Sequence, residues 1–163
     1  MDTILHSDAG VQQIMKGLAR FLLSEGHDIR FIVPDSTNEG EFKGKIISMG
    51  LSINPIFNTT SIPLSLYETK AKISTMLEKE DFDVIHAAMP YNPYFGGRII
   101  NQAQCPVVTT FMSYLKNDLH RISIRLLNKQ LSTSYKKIKY FMAPTPSAKQ
   151  DAEKVVPKTF EVI

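Results

Sequence analysis

The chain has 163 residues, and its 19 Lys and Arg against 16 Asp and Glu give a formal net charge of +3. This length suits one domain with a hydrophobic core, and so small a charge does not by itself indicate a nucleic-acid partner. Its one cysteine, Cys105, excludes an internal disulfide and favours a reducing compartment. No segment has the roughly 18 apolar residues of a membrane span or the pattern of a signal peptide.

Residues 7–34 combine a glycine turn, an amphipathic helix and a strand, which together make half of a βαβ unit. Gly26 follows the helical pattern and supplies the positive φ of a C-cap, and the β-branched run at 29–33 ends at Pro34. A helix that begins at Gly10 offers backbone N–H groups that favour an anion, although a simple tight turn explains this glycine equally well. The helix is predicted from apolar residues with helical spacing, namely Val11, Ile14, Met15, Leu18 and Leu22.

The rest of the chain alternates between strand and helix patterns, which predicts a parallel sheet with crossover helices. We predict strands at 3–5 (a short stub), 45–48, 82–87, 106–111, 140–143 and 160–163. Helices are predicted at 66–79, 93–104, 117–135 and 147–155, with irregular connections at 35–43 and 51–64. The expected fold is therefore α/β, a Rossmann-like three-layer domain with a mostly parallel sheet.

Ligands of such a sheet bind at the carboxyl ends of its strands. His86 lies at one of these ends, where its ring either contacts a substrate hydroxyl or is satisfied by a neighbouring backbone carbonyl. Tyr91 follows the same strand and is a second candidate for substrate contact. The sequence has no His/Cys cluster with metal spacing, no Walker loop, and only one glycine where a dinucleotide fingerprint has three. No metal site is predicted, and a dehydrogenase is disfavoured.

The predicted helix at 117–135 carries a basic stripe, since Arg121, Arg125 and Lys129 recur at i, i+4 and i+8. Leu119, Ile122, Leu126 and Leu127 are assigned to its other side. Such a helix can lie on an anionic membrane surface. A solvated face explains the same pattern without a membrane.

Four blocks occur in order along the chain: GVQQIMKGLARFLLSEGHDIRFIVP, FDVIHAAMPYNPYFGGRII, CPVVTTFMSY, and YFMAPTPSAKQDAEK leading to FEVI. Together they resemble the N-terminal domain of the family 4 retaining glycosyltransferases of the GT-B fold, and most of all the phosphatidylinositol mannosyltransferase type. The resemblance implies that 1–163 is the acceptor-binding half of such an enzyme, cut at both ends. The C-terminal domain that binds most of the sugar nucleotide is expected outside it.

The resemblance also assigns residues to the substrates. Gly10 corresponds to the glycine turn that approaches the donor phosphates, while Gln12, Phe57, Asn58 and Met112 fall at acceptor positions. Ordinary packing explains Phe57 and a turn explains Asn58 at least as well. Enzymes of this type are thought to need no protein nucleophile, because the donor phosphate itself assists the incoming hydroxyl. No catalytic residue is therefore assigned in this chain, and no cofactor is expected, since the sugar nucleotide is a substrate.

Three positions depart from the family pattern. Ala9 stands where a first glycine is usual, Met112 stands where a histidine is usual, and residues 61–63 lack the expected basic residue. The thioether of Met112 can neither donate a hydrogen bond nor act as a general base. The alternative to an enzyme is a non-catalytic module on the same fold that binds a sugar, a lipid or a partner subunit.

The partners expected from the resemblance are a sugar nucleotide and a lipid or glycan acceptor, with no nucleic acid. Together with the basic helix, they place the protein in the cytoplasm, either free or attached peripherally to the inner face of the plasma membrane. A flavodoxin-like or response-regulator fold would share the layout. It would need an acidic cluster or a flavin phosphate loop at the first turn, which Asp8 alone does not provide.

Overall fold

The computed structural model describes residues 10–34, 40–53, 56–57, 60–61, 64–66, 68–88, 94–112 and 118–163. Within these ranges, residues 51–66, 118–121, 123, 124 and 127 are described by their backbone alone. The chain divides into two compact units, Met1–Glu68 and Thr69–Ile163. The predicted strand at 3–5 and the turn before Gly10 lie outside the described residues.

The first unit contains the predicted helix-strand pair. Helix α1 (Gly10–Ser24) is followed by strand β1 (Phe31–Val33), and β1 pairs in parallel with β2 (Ile46–Ser48). Gly26 has a φ of 87°, which confirms the predicted left-handed C-cap. The core of this unit brings the inner face of α1 against both strands, and it consists of Ala19, Phe31, Val33, Phe42 and Ile46.

Phe42 belongs to a stretch that the sequence predicts as a plain loop. The structure forms a single 3-10 turn there, Gly40–Phe42, and Phe42 is 2% exposed. Its ring meets that of Phe31 edge to face, with 4.9 Å between the ring centroids. The turn therefore adds an aromatic side chain to the core. An isolated aromatic in a polar stretch gives no periodic signal from which this could be predicted.

The prediction of an irregular connection at 51–64 is wrong. Four short strands occur there: β3 (Leu51–Ile53), β4 (Ile56–Phe57), β5 (Thr60–Ser61) and β6 (Leu64–Leu66). Strand β3 pairs antiparallel with β6, and β4 pairs antiparallel with β5. Strands this short lie below the four to eight residues over which alternation can be recognised.

Helix α2 (Lys70–Glu80) begins later than predicted, because Leu66 belongs to β6 rather than to the helix. Thr69 fixes the start, since its Oγ1 accepts a hydrogen bond from the Lys72 backbone N–H at 3.3 Å. Ile73, Met76 and Leu77 are buried, as their spacing predicts.

The second unit is built on a four-stranded parallel sheet in the order β10-β9-β8-β7. Its strands are β7 (Ile85–Ala88), β8 (Val107–Thr110), β9 (Ile138–Ala143) and β10 (Glu161–Val162). The connecting helices are α3 (Gly96–Gln102), α4 (Asp118–Lys137) and α5 (Pro146–Val155). All of these elements were predicted, although α3 begins at Gly96 rather than at residue 93. Residue 93, where this helix is predicted to begin, lies outside the described part of the chain.

An aromatic cluster packs the segment before the last strand, β10, against the rest of the second unit. Phe160 is 0% exposed and meets Phe111 and Phe141 edge to face, with centroid distances of 6.0 and 5.4 Å. Tyr135 of α4 meets Phe141 in the same way at 6.1 Å. These contacts hold α4 and β10 to the sheet. The chain is thus an α/β protein with mostly parallel sheets, as predicted, and this is the organisation of a Rossmann-like fold.

Candidate functional site

Helix α1 begins at Gly10, the residue predicted to face an anion. Gly10 is exposed, its φ is not positive, and a Cβ placed on it meets no heavy atom within 4 Å in the described structure. Neither backbone conformation nor packing therefore requires glycine here. The first N–H groups of an α-helix lack intrahelical acceptors and carry the positive end of the helix dipole. A glycine at this point places no side chain between that end and a ligand.

Gln12 lies two residues further along the same helix. Its side-chain oxygen Oε1 is buried and has no hydrogen-bond partner within the described residues. A buried acceptor left unpaired costs about 1–3 kcal/mol, so such an atom usually has a donor in the functional state. A ligand hydroxyl is one group that can donate to it.

Strands β7 and β8 carry the second set of candidate polar groups. The prediction that His86 lies at the carboxyl end of its strand is wrong, because β7 begins at Ile85 and His86 is its second residue, whereas Thr109 and Thr110 are the last two residues of β8. His86 Nε2 and Thr110 Oγ1 are 2.8 Å apart and share a hydrogen bond. On the neighbouring strand position, Thr109 Oγ1 donates to the Ala87 carbonyl oxygen at 2.6 Å. Thr109 and Thr110 are 0% and 1% exposed, so both hydroxyls are enclosed. These two bonds fasten β7 to β8 beyond the backbone ladder.

Burial lowers the pKa of His86 below its usual range, so the ring is neutral at pH 7. The partner of its Nε2 is a threonine hydroxyl, not the backbone carbonyl that the sequence offers as an alternative to substrate. One ring nitrogen is thus held inside the protein. A substrate contact by His86 stays a prediction, and Nδ1 is the atom through which it would act.

The remaining substrate candidates are only partly described. Met112 follows β8 and is half-buried, and the backbone of Phe57 lies in β4. Asn58 and Tyr91 lie outside the described residues. The acceptor roles of Met112, Phe57 and Asn58, and the substrate contact of Tyr91, stay predictions.

The basic stripe lies on α4, but its members differ. Arg125 Nε and Nη2 donate to the Lys154 carbonyl oxygen at 3.1 and 2.9 Å, so this side chain caps the C-terminal end of α5. Lys129 is exposed, and the side chain of Arg121 lies outside the described part. Ile122 and Leu126, assigned to the other side of the helix, are 50% and 72% exposed. At 100° per residue, both fall beside Lys129 rather than across the helix from it.

The described residues contain no candidate site for metal or thiol chemistry. No group of three or more His, Cys, Asp or Glu side chains is placed there to hold a metal ion. Burial raises the pKa of the Cys105 thiol, and the charges of Asp83 and Asp81 add to this shift, so the thiol is protonated at neutral pH. Of the helices described, none combines the length and apolarity needed to cross a bilayer.

A mostly parallel α/β fold of this kind is shared by many domains that bind ligands at the carboxyl ends of their strands. Within that class, the model of Glycosyltransferase Family 4 matches residues 9–163. The chain belongs to this family. A search of curated proteins finds no match to the chain.

Two features of the candidate sites were missed from the sequence. Thr109 and Thr110 are hydroxyl residues at the carboxyl end of an otherwise apolar strand, and that position alone could have marked them as hydrogen-bonding groups. Ile122 and Leu126 share a face with Lys129, which a helical projection of α4 shows without a structure.

Proposed function

We propose that this chain is the acceptor-binding half of a retaining glycosyltransferase, which moves a sugar from a sugar nucleotide to a lipid or glycan acceptor. The observation that carries the proposal is the family match over residues 9–163. The transfer of a hexose, and of mannose in particular, follows from the resemblance to the phosphatidylinositol mannosyltransferase type. In the reaction the bond from the anomeric carbon to the donor phosphate breaks and a bond to the acceptor oxygen forms. The proton of the acceptor hydroxyl passes to the leaving phosphate.

The start of α1 supports this proposal in two ways. Gly10 adds no side chain at the N-terminal end of the helix, which suits the approach of the donor phosphates. The unpaired Oε1 of Gln12 suits a hydroxyl of the acceptor. This chain thus contributes positioning and charge stabilisation rather than a nucleophile.

The test is transfer of radiolabelled sugar by the intact protein. A panel of nucleoside diphosphate sugars is offered with a lipid extract and, separately, with soluble glycans, and label is counted in the lipid and glycan fractions. We expect transfer from one donor, strongly reduced in Gly10→Val and retained in Gly17→Ala. Transfer by Gly10→Val at the wild-type rate would contradict the role of Gly10, and no transfer with any donor would contradict the enzyme.

A non-catalytic binding module is the second candidate, and Met112 favours it. The residue follows β8 at the place where the family usually has a histidine near the reacting sugar and acceptor. Wild-type protein that binds a sugar nucleotide without transferring it, and that gains transfer in Met112→His, supports the module. Transfer by the wild type excludes it.

A further inference from the structure

The four short strands between β2 and α2 keep a single register. The last pair of β3 with β6 is Ile53 with Leu64, and the first pair of β4 with β5 is Ile56 with Ser61. Two residues lie between these pairs on each side, so the pairing resumes without a shift. Two residues also separate β4 from β5 in the sequence, as in the commonest hairpin connections. The four strands are therefore the two sides of one antiparallel hairpin, called the β-arm (β3 to β6).

The position of the β-arm depends on its base. Among the described strands, its members pair only with one another and join neither of the parallel sheets. A hairpin of two strands is marginally stable in water by itself. Just before β3, the Met49 backbone N–H donates to the Val33 carbonyl oxygen at 3.0 Å, which attaches the chain to the carboxyl end of β1. The base of the β-arm thus lies at the edge of a parallel sheet where ligands bind.

Glu68 closes this base. It comes two positions after β6, and Gly50 comes directly before β3, so the two residues stand at the two ends of the β-arm. The Gly50 backbone N–H donates to Glu68 Oε2 at 3.0 Å. Gly50 has a φ of 83°, a conformation that favours glycine and turns the chain from β2 into β3. The hydrogen bond therefore holds this turn to the other side of the hairpin.

The carboxyl group of Glu68 is enclosed by the protein. Glu68 is 8% exposed, and among the described residues no other Asp or Glu is buried to this degree. Burial of a carboxyl group is unfavourable unless donors replace the water that it loses. An apolar side chain in its place would leave the Gly50 N–H without this acceptor, which costs more than a hydrogen bond at the surface. The contact between Glu68 and Gly50 is therefore a specific feature of the base.

We propose that Glu68 is a positioning residue for sugar transfer. It acts through the β-arm, because closing the base holds Phe57, the last residue of β4 and a predicted acceptor position. The role rests on the proposed function, since the position of the β-arm affects transfer only where an acceptor binds to it. A purely stabilising Glu68 would alter the free energy of unfolding and leave the KM for the acceptor unchanged.

Two substitutions of Glu68 test the hydrogen bond. Glu68→Leu removes the acceptor oxygen, whereas Glu68→Gln keeps an oxygen that can accept from Gly50. In the intact protein labelled on glycine, NMR should show that the Gly50 amide exchanges its hydrogen about tenfold faster in Glu68→Leu than in the wild type. Glu68→Gln should stay closer to the wild type. The matched control is Glu78→Leu, at an exposed position of α2, which should leave Gly50 exchange unchanged.

The same variants test the effect on transfer. In Glu68→Leu, the apparent KM for the lipid or glycan fraction that takes up label should rise about tenfold, as expected for the loss of one hydrogen bond. The KM for the nucleoside diphosphate sugar and the kcat should change little, because the start of α1 is untouched. Glu68→Gln should recover most of the acceptor KM, and Glu78→Leu should match the wild type.

A disulfide across the β-arm tests whether Glu68 acts through position. Leu51 and Leu66 are directly opposed, and opposed residues of an antiparallel pair have Cα atoms about 4.5–5.5 Å apart, which a disulfide can span. Leu51→Cys and Leu66→Cys are added to Glu68→Leu, with Cys105→Ala to remove the one native thiol. Oxidation should return the acceptor KM toward the wild-type value, and dithiothreitol should reverse this gain. Where Glu68→Leu alone does not fold, as judged by circular dichroism, the oxidised variant takes its place.

The outcomes distinguish this role from the proposed function. A wild-type KM in Glu68→Leu, or a raised KM that the oxidised disulfide does not lower, overturns the positioning role. Equal exchange of the Gly50 amide in the wild type and in Glu68→Leu overturns it as well. The exchange measurement needs neither donor nor acceptor. A wild type that transfers no sugar but loses Gly50 protection in Glu68→Leu therefore contradicts the enzyme and supports the closed base.

Discussion

The start of α1 and the carboxyl ends of β7 and β8 are both places where an α/β domain can bind a ligand. They differ in whether their polar groups are already hydrogen-bonded within the protein. At the β7–β8 ends, the hydroxyls of Thr109 and Thr110 are both hydrogen-bonded within the protein. At the start of α1, Gln12 Oε1 is buried without a described partner, and a Cβ on Gly10 meets no described heavy atom within 4 Å. Position in the fold therefore does not by itself define a binding site. Polar groups already used inside the protein stabilise the fold, and those left open can bind a ligand.

The largest expected effect is that of substituting Gly10, which should change sugar transfer strongly and the free energy of unfolding little. Gly10→Val should reduce sugar transfer by the intact protein about 100-fold, because its side chain blocks the approach of a phosphate to the helix start. Its free energy of unfolding should change by less than about 1 kcal/mol, since Gly10 has no positive φ and a Cβ there has no close neighbour among the described residues. Transfer rates and chemical denaturation measure the two quantities.

Gly17 offers the matched control within α1, because a Cβ there also meets no heavy atom of the described residues within 4 Å. Gly17→Ala should raise the free energy of unfolding by about 0.5–1 kcal/mol and leave transfer unchanged. Equal losses of transfer in the Gly10 and Gly17 variants would mean that Gly10 has no specific role in transfer at the start of α1.

Substitution of Thr110 should instead affect the free energy of unfolding rather than sugar transfer. Thr110→Val keeps the shape of the side chain and removes the hydrogen bond to His86, which should lower the free energy of unfolding by about 1–3 kcal/mol. The exposed Thr159 is the control, and Thr159→Val should change stability by less than about 0.5 kcal/mol. If the Thr110 variant keeps full stability but loses transfer, then this hydroxyl belongs to the binding site and the comparison fails.

Gln12 tests the open site without changing the backbone. Gln12→Met removes the unpaired oxygen at nearly constant volume, so the free energy of unfolding should rise by up to about 1 kcal/mol. The KM for the acceptor should rise about tenfold, with a smaller change in kcat. Gln13→Met, at the exposed neighbouring position, should leave KM unchanged. A Gln12 variant that loses stability would show that the oxygen has a partner in the folded protein.

The smallest effect is the pH dependence that His86 gives to stability. Burial lowers its pKa in the folded state, whereas the unfolded chain keeps a value near 6.5. Between these two values the unfolded state binds more protons, so stability rises with pH through this window and levels off above about pH 7.5. Denaturation between pH 5 and 8 should show this slope, and His86→Gln should flatten it. His27→Gln, at an exposed position, should keep the slope, and a flat wild-type curve would contradict the buried, neutral ring.

Long periodic segments of this fold could be predicted because their pattern is repeated over several turns. Helix α1 and the strands β8 and β9 were predicted close to their observed bounds. Strand β7 begins three residues later than predicted, and Ile14, assigned to the apolar face of α1, is 49% exposed. The short strands β3 to β6 could not, because two or three residues contain too little of a period. Burial of Phe42 depends on tertiary packing that no local pattern reveals.

The candidate sites were predictable in position but not in hydrogen bonding. The sequence predicted Gly10 at a helix start, where the structure has it, and His86 at a strand end, whereas His86 is the second residue of β7. It could not tell that a threonine hydroxyl partners His86, because Thr110 lies on a different strand and meets it only through the parallel register. Nor could it tell that Arg125 caps α5, since that contact joins residues 29 positions apart.

The most direct test of the open helix start is NMR of the intact protein labelled on glycine. The eight glycines of this chain act as separate amide reporters. During titration with the nucleoside diphosphate sugar that serves as donor, the Gly10 amide should shift and saturate. Gly26, beyond the other end of α1 and roughly 24 Å along the helix axis, should not move. A Gly10 signal that stays in place while Gly96 and Gly97 shift would contradict donor binding at the start of α1, because the donor would then bind near the carboxyl end of β7 instead.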